Sequence, residues 1–173
     1  MKRVRRSQPT LSRALPHVHR LTTGKKFPKD QVFTSTIHIR KETGAEKRAM
    51  KKAANFAAAM GFLPERIEDV KTAVGEATAN AIEHGTPVES SKTVLVQIKG
   101  SDGWMEVEVS SAGALFVLTD KKPDIQARIE GLQKPRGWGL YLIGKLADQV
   151  ELTTEANNAI LKMRFFAIQK STE

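Results

Sequence analysis

Residues 64–85 constrain this chain more than any other segment, because they combine a buried helical face with an unusual polar stripe. Pro64 suits the first turn of a helix, and Ile67, Val70, Val74, Ala77 and Ala81 then recur at three- and four-residue spacing. Those positions define the face that packs on a core. Glu76, Asn80 and His84 are four residues apart on the same helix, with roughly 6 Å between successive side chains along the axis. Their stripe lies beside the buried face rather than opposite it, where a cleft could form. A carboxylate and an amide at that spacing can hold a water, a hydroxyl or a magnesium ion. The same residues would equally make a solvated face on a helix that ends at Gly85, and local spacing alone leaves both readings open.

The surrounding segments indicate an α+β architecture. Residues 32–39 are β-rich and roughly alternating, which predicts a first strand. Thr43 with Glu46 forms a capping-box pattern that opens a helix carrying Ala45, Ala49, Ala53, Phe56, Ala57 and Met60, and Gly61 closes it. Val94, Val96 and Ile98, a turn over residues 100–103, and Met105, Val107 and Val109 predict a hairpin of strands 92–99 and 104–110. Residues 113–135 are irregular apart from a short helical pattern over 124–130; a segment of that length often serves as a lid or binding loop. A helix carrying Leu140, Ile143, Leu146 and Ala147 follows, then two closing strands over 150–154 and 160–168 around an Asn157-Asn158 turn. Strands early, middle and late, with helices grouped between them, describe an α+β layer rather than alternating βαβ units.

Charge matters here for its location. Residues 1–29 hold nine Lys or Arg and no acid; taking those nine from 28 leaves 19 basic side chains against 19 acidic ones. The net +9 is therefore carried by the N-terminal segment, which has three prolines and no amphipathic period and reads as a disordered extension over residues 1–30. Such an arm contacts nucleic acid, anionic lipid or an acidic protein, or simply solubilises; with no aromatic residue in its first 26 positions, base stacking is not supported. The chain has no cysteine and hence no disulfide or thiolate chemistry, and no apolar run approaches the roughly 20 residues that cross a bilayer. A soluble, cytoplasmic protein with one folded domain over residues 31–173 is the expectation.

Residues 135–140, Pro-Arg-Gly-Trp-Gly-Leu, decide between the two readings of the stripe. Two glycines directly before a helix let backbone amides approach an anion, and the helix N-terminus adds positive partial charge. Arg136 adds a fixed cation suited to a terminal phosphate. No Walker loop is present and no βαβ unit precedes the glycines, which excludes two common nucleotide folds.

From about residue 31 to 168 the chain resembles the anti-sigma-factor serine kinases (RsbW-like proteins) of the GHKL, or histidine kinase-like, ATPase superfamily. The resemblance is carried by residues 74–85, which match the family's N-box, and by residues 136–143, which match the glycine box after the ATP lid. It implies a Bergerat-type two-layer α/β sandwich, in which a mixed, mainly antiparallel sheet carries helices on one face. It also implies ATP and magnesium as cofactors. Glu76 would be the general base, Asn80 the magnesium ligand, and Gly137, Gly139 and Leu140 the phosphate-facing turn, with Arg136 near the terminal phosphate. His84 matches the pattern too, though its position at the helix end also suits a cap.

Ser111 occupies the position of the family's adenine-binding Asp; Gly113 is retained in that box, and Leu115 replaces its second glycine. Exchanging a charge-assisted bond for a hydroxyl contact costs roughly 1.5–3 kcal/mol. The implied function is an ATP-dependent serine kinase that phosphorylates a STAS-type anti-anti-sigma protein and sequesters a sigma factor, in a family whose members allow homodimers. The alternative is a non-catalytic partner-switching module of the same fold.

Overall fold

The computed structural model describes residues 13–14, 31–84, 92–112, 138–155 and 158–167. Five strands form an antiparallel array: β2 (Phe33–Arg40), β3 (Thr93–Ser101), β4 (Trp104–Ala112), β6 (Asn158–Phe166) and β5 (Gln149–Glu155), in that spatial order. A two-residue strand β1 (Arg13–Ala14) pairs parallel with β2 at Phe33 and Thr34, so the sheet is mixed and mainly antiparallel. Three helices, α1 (Glu46–Ala59), α2 (Pro64–His84) and α3 (Trp138–Leu146), pack on one face, with α2 in the middle over β3 and β4. The α+β two-layer expectation is borne out.

Alternation within the strands explains why one face is covered and the other is not. Val94, Val96 and Ile98 of β3, Met105, Val107 and Val109 of β4, and Leu161, Met163 and Phe165 of β6 are all fully buried and point toward the helices. They meet Ala49, Ala53 and Phe56 of α1 and Val70, Val74, Ala77 and Ala81 of α2. Small residues on both helices let the two lie close together. Alternate strand positions carry Gln97, Lys99, Glu106, Glu108, Lys162 and Arg164, the polar face expected of an antiparallel sheet open on one side.

The local chemistry differs from the sequence expectation at two places. Thr43 does not cap α1: Ala45 is the N-cap and no side-chain cap bond forms. The amide of Ala45 is bonded to the Glu42 carbonyl at 3.1 Å in a turn over residues 43–45, which starts the helix at Glu46 and leaves Thr43 out of reach. The hairpin turn is also shorter than expected, Asp102 and Gly103 alone. Gly100 pairs with Met105 inside the β3–β4 ladder, and a Cβ there would lie 2.6 Å from the backbone oxygen of Trp104 and 3.0 Å from Phe56, which reserves the position for glycine. The expected segments over 113–135 and the Asn157 turn position fall outside the described residues.

On the open face Glu106 is 3 % exposed and accepts from Lys99 Nζ at 2.8 Å and from Arg164, whose Nε lies 3.1 Å away. Burial pushes its carboxyl up, but the hydrogen bonds and charges of Lys99 and Arg164 outweigh burial and hold it below the usual carboxylate value of 4.5. A group depressed on folding contributes stability that is complete above its unfolded value and is lost as pH falls through the folded one. The urea midpoint should therefore drop below about pH 4.5 in the wild type and drop less in Glu106→Gln, when both are followed by circular dichroism from pH 7 to 3.

Candidate functional site

The site is built where α3 begins against the middle of α2. Glu76 and Asn80 are half-buried on α2, between the buried positions Val74, Ala77, Thr78 and Ala81. Their stripe therefore sits at the edge of the core, as its spacing suggested. Thr78, buried between them, donates its hydroxyl to the Val74 carbonyl at 2.7 Å, so the one buried hydroxyl of this stretch is satisfied within the helix.

Gly139, in the first turn of α3, closes the other side. A Cβ built on it would lie 2.7 Å from Glu76 Oε2, 3.0 Å from Asn80 Nδ2 and 3.6 Å from Asn80 Oδ1. The glycine thus brings bare backbone into contact distance of both polar groups, at a place where any side chain would displace them. Fifty-eight residues lie between Asn80 and Gly139 in sequence, and the fold joins them. Among the described residues neither Glu76 nor Asn80 takes part in an ion pair.

Ser111 is buried at the end of β4 and donates its Oγ to the Ala81 carbonyl at 3.4 Å, one residue beyond Asn80. With its proton so directed, the oxygen keeps lone pairs for an incoming donor but brings no charge. Leu140 is half-buried and packs against the core. His84, the last residue of α2, is exposed. Gly113, Arg136 and Gly137 lie outside the described residues. The structure therefore groups Glu76, Asn80, Gly139 and Ser111 around one stretch of α2.

Glu76 and Asn80 offer hard oxygen donors of the kind magnesium takes beside water and phosphate oxygens, and Gly139 meets them with no side chain of its own. The described residues thus fit a magnesium-bound phosphate.

One positioning residue gave no signal in the sequence. Arg66, at the start of α2, is 5 % exposed and donates to the carbonyl of Leu146 at the end of α3 at 2.6 Å. It also donates to the Phe166 carbonyl at 3.2 Å and to the Asp69 and Asp148 carboxylates. Antiparallel α2 and α3 are therefore pinned at one end by Arg66 and meet at the other through Gly139.

The family described as histidine kinase-like ATPase domain matches residues 39–165. Serine-protein kinase RsbW of Listeria innocua is 31% identical over 114 residues, covering 64% of this chain and 73% of that protein. The protein of the same name from Bacillus licheniformis is 28% identical over 115 residues, covering 64% and 71%. Among solved structures, the RsbU and RsbW domains of a Mycobacterium tuberculosis protein superpose with a TM-score of 0.57 at 19% identity, over 77% of this chain and 32% of that one. The SiaB–SiaC complex of Pseudomonas aeruginosa gives 0.50 at 16% identity, over 76% and 88%. At those identities the two structures speak for the fold alone.

Proposed function

This chain belongs to the histidine kinase-like ATPase domain family and is RsbW-like, and we propose that it is an ATP-dependent serine protein kinase acting as an anti-sigma factor. Its protein substrate would be a STAS-type anti-anti-sigma protein and its captive a sigma factor, as the family resemblance implies; the serine-protein kinase names of its relatives support the kinase part alone. The observation that carries the chemistry is the contact of Gly139 with Glu76 and Asn80. Phosphoryl transfer needs mainly positioning and charge neutralisation, and this arrangement supplies a base, an oxygen ligand and bare backbone in one place.

ATP, when bound, supplies the transferable phosphoryl group, and magnesium supplies charge that offsets its phosphates. Glu76 orients the serine hydroxyl of the substrate and takes its proton. The Asn80 amide oxygen would hold the magnesium ion, and Gly139 would keep side-chain bulk away from the phosphates. By the family resemblance Ser111 would accept from the adenine, and Arg136 and Gly137, which lie outside the described residues, would join Leu140 and His84 in the phosphate and helix-end roles. A second reading, a partner-switching module that binds without transferring, is favoured by the neutral Ser111 and by Leu115. A cytoplasmic location accords with both; no described helix is long and apolar enough to cross a membrane.

Calorimetric titration of magnesium ATP into the wild type and Gly139→Ala tests the kinase reading. The atom nearest the added methyl is the far end of the flexible Glu76 side chain, which can swing aside. Gly139→Ala should therefore melt within a few degrees of the wild type, since helix propensity itself favours alanine by roughly 1 kcal/mol. It should nonetheless bind magnesium ATP at least about tenfold more weakly, because the swing moves Glu76 and Asn80 out of place, a loss of about 1.4 kcal/mol. No heat from the wild type at millimolar ATP would leave only the binding module standing.

A further inference from the structure

The helix farthest from this site in function carries a charge pattern that stability does not explain. Residues 1–52 hold 15 basic and three acidic side chains, whereas residues 53–173 hold 13 basic and 16 acidic. Within the described part of that basic third, Lys47, Arg48 and Lys51 of α1 are exposed and Lys52 is half-buried. None of the four forms an ion pair with a described residue. Lys47 and Arg48 sit in the first turn, where the helix dipole disfavours cations, and with no side-chain cap there Glu46 is the one acidic residue of that turn to offset them. Lys47 with Lys51, and Arg48 with Lys52, are like-charge pairs four residues apart, which weaken a helix. Four cations are thus kept where helix physics argues against them.

We propose that the outer face of α1 binds the phosphate backbone of double-stranded nucleic acid, independently of sequence. Protein interfaces are enriched in aromatic residues, Met and Arg and depleted in Lys and Ala, and of the favoured types the exposed face of α1 offers Arg48 alone, among Lys47, Lys51, Asn55 and Ala58. An anionic membrane would need an apolar face to insert, and that of α1, Ala49, Ala53, Phe56 and Ala57, is buried in the core. Single strands are held by base stacking, for which this face has no aromatic residue. What remains is a rigid row of cations with about 6 Å between i and i+4 side chains, suited to a line of phosphates. The proposal stands apart from the kinase reading and does not depend on it.

Binding of the full chain to a fluorescein-labelled duplex of about 20 base pairs, followed by anisotropy without nucleotide or magnesium, tests it. Each phosphate contact contributes about 0.9 to the slope of log affinity against log salt. If three α1 cations make contacts, wild-type affinity should fall about 40-fold more than that of Lys47→Gln/Arg48→Gln/Lys51→Gln/Lys52→Gln when salt rises from about 50 to 200 mM. The nine cations of residues 1–29 remain in that variant, so the difference between the two curves belongs to α1. The variant should melt no lower than the wild type, because it loses only unfavourable charge contacts. Lys47→Arg/Lys51→Arg/Lys52→Arg, which keeps the charge, should retain the wild-type slope. Superimposable wild-type and Gln-variant curves would overturn the proposal, as would absence of duplex binding at low salt. Tighter binding of polyglutamate or of phosphatidylserine vesicles at matched salt would overturn it too.

Discussion

Glu76→Gln is expected to reduce phosphoryl transfer to a serine substrate by about 10²- to 10⁴-fold, the usual contribution of a positioned general base. Glutamine keeps the length and packing of the side chain at the Gly139 contact, so the fold and the space beside Asn80 should survive. What it removes is the ability to take a proton. Nucleotide binding, measured by calorimetry in the same variant, should change little, because Asn80, the proposed magnesium ligand, is untouched. Radiolabel transfer to a STAS-type protein, read alongside that titration, separates the two effects. Unchanged transfer in Glu76→Gln would remove Glu76 from the role of base. Loss of both binding and transfer would instead make it part of the nucleotide cradle.

The parts of this site that the sequence revealed are those encoded by local period. The three- and four-residue spacing of Val70, Val74, Ala77 and Ala81 placed α2 on the core and put Glu76 and Asn80 at its edge, where the structure has them. Alternation of Val94, Val96 and Ile98 with polar residues likewise fixed which face of β3 is buried. Boundaries were less legible, because they depend on backbone bonds rather than side-chain pattern. The turn bond from Ala45 to Glu42 defeated the apparent Thr43 capping box, and the pairing of Gly100 with Met105 carried β3 past the expected turn start. Contacts between distant segments were least legible. That Gly139 would touch Glu76 and Asn80 was suggested only by a likeness between motifs, since neither spacing nor composition specifies a meeting across the 58 positions between Asn80 and Gly139. The donation of Ser111 to the Ala81 carbonyl had no sequence signal, because its acceptor is main chain.

Arg66→Met should destabilise the protein by about 3–5 kcal/mol, the range seen when one member of a buried charge network is removed. Arg66 is 5 % exposed, and its guanidinium lies 5.5 Å from the ring centre of Phe165 while bonding two carboxylates and two carbonyls. Methionine fills a similar volume, so the loss measures polar groups left behind more than a cavity. Asp148 would keep its bond from the Phe166 amide at 2.8 Å but lose its cation, and the Leu146 carbonyl at the end of α3 would lose its donor. Lysine at this position should recover only part of the loss, because a single ammonium cannot reproduce a planar fork that spans four acceptors. Urea denaturation of the wild type and both variants gives the order directly. The partners of Arg66 lie 80, 82 and 100 residues away, with only Asp69 nearby, so nothing in the local sequence marks this arginine. Its position also ties stability to the site. With α3 released at Leu146, the far end of the same helix no longer holds Gly139 firmly against Glu76 and Asn80. Arg66→Met should therefore lose phosphoryl transfer under conditions where circular dichroism still shows it folded; full transfer in a folded but destabilised variant would confine Arg66 to stability alone.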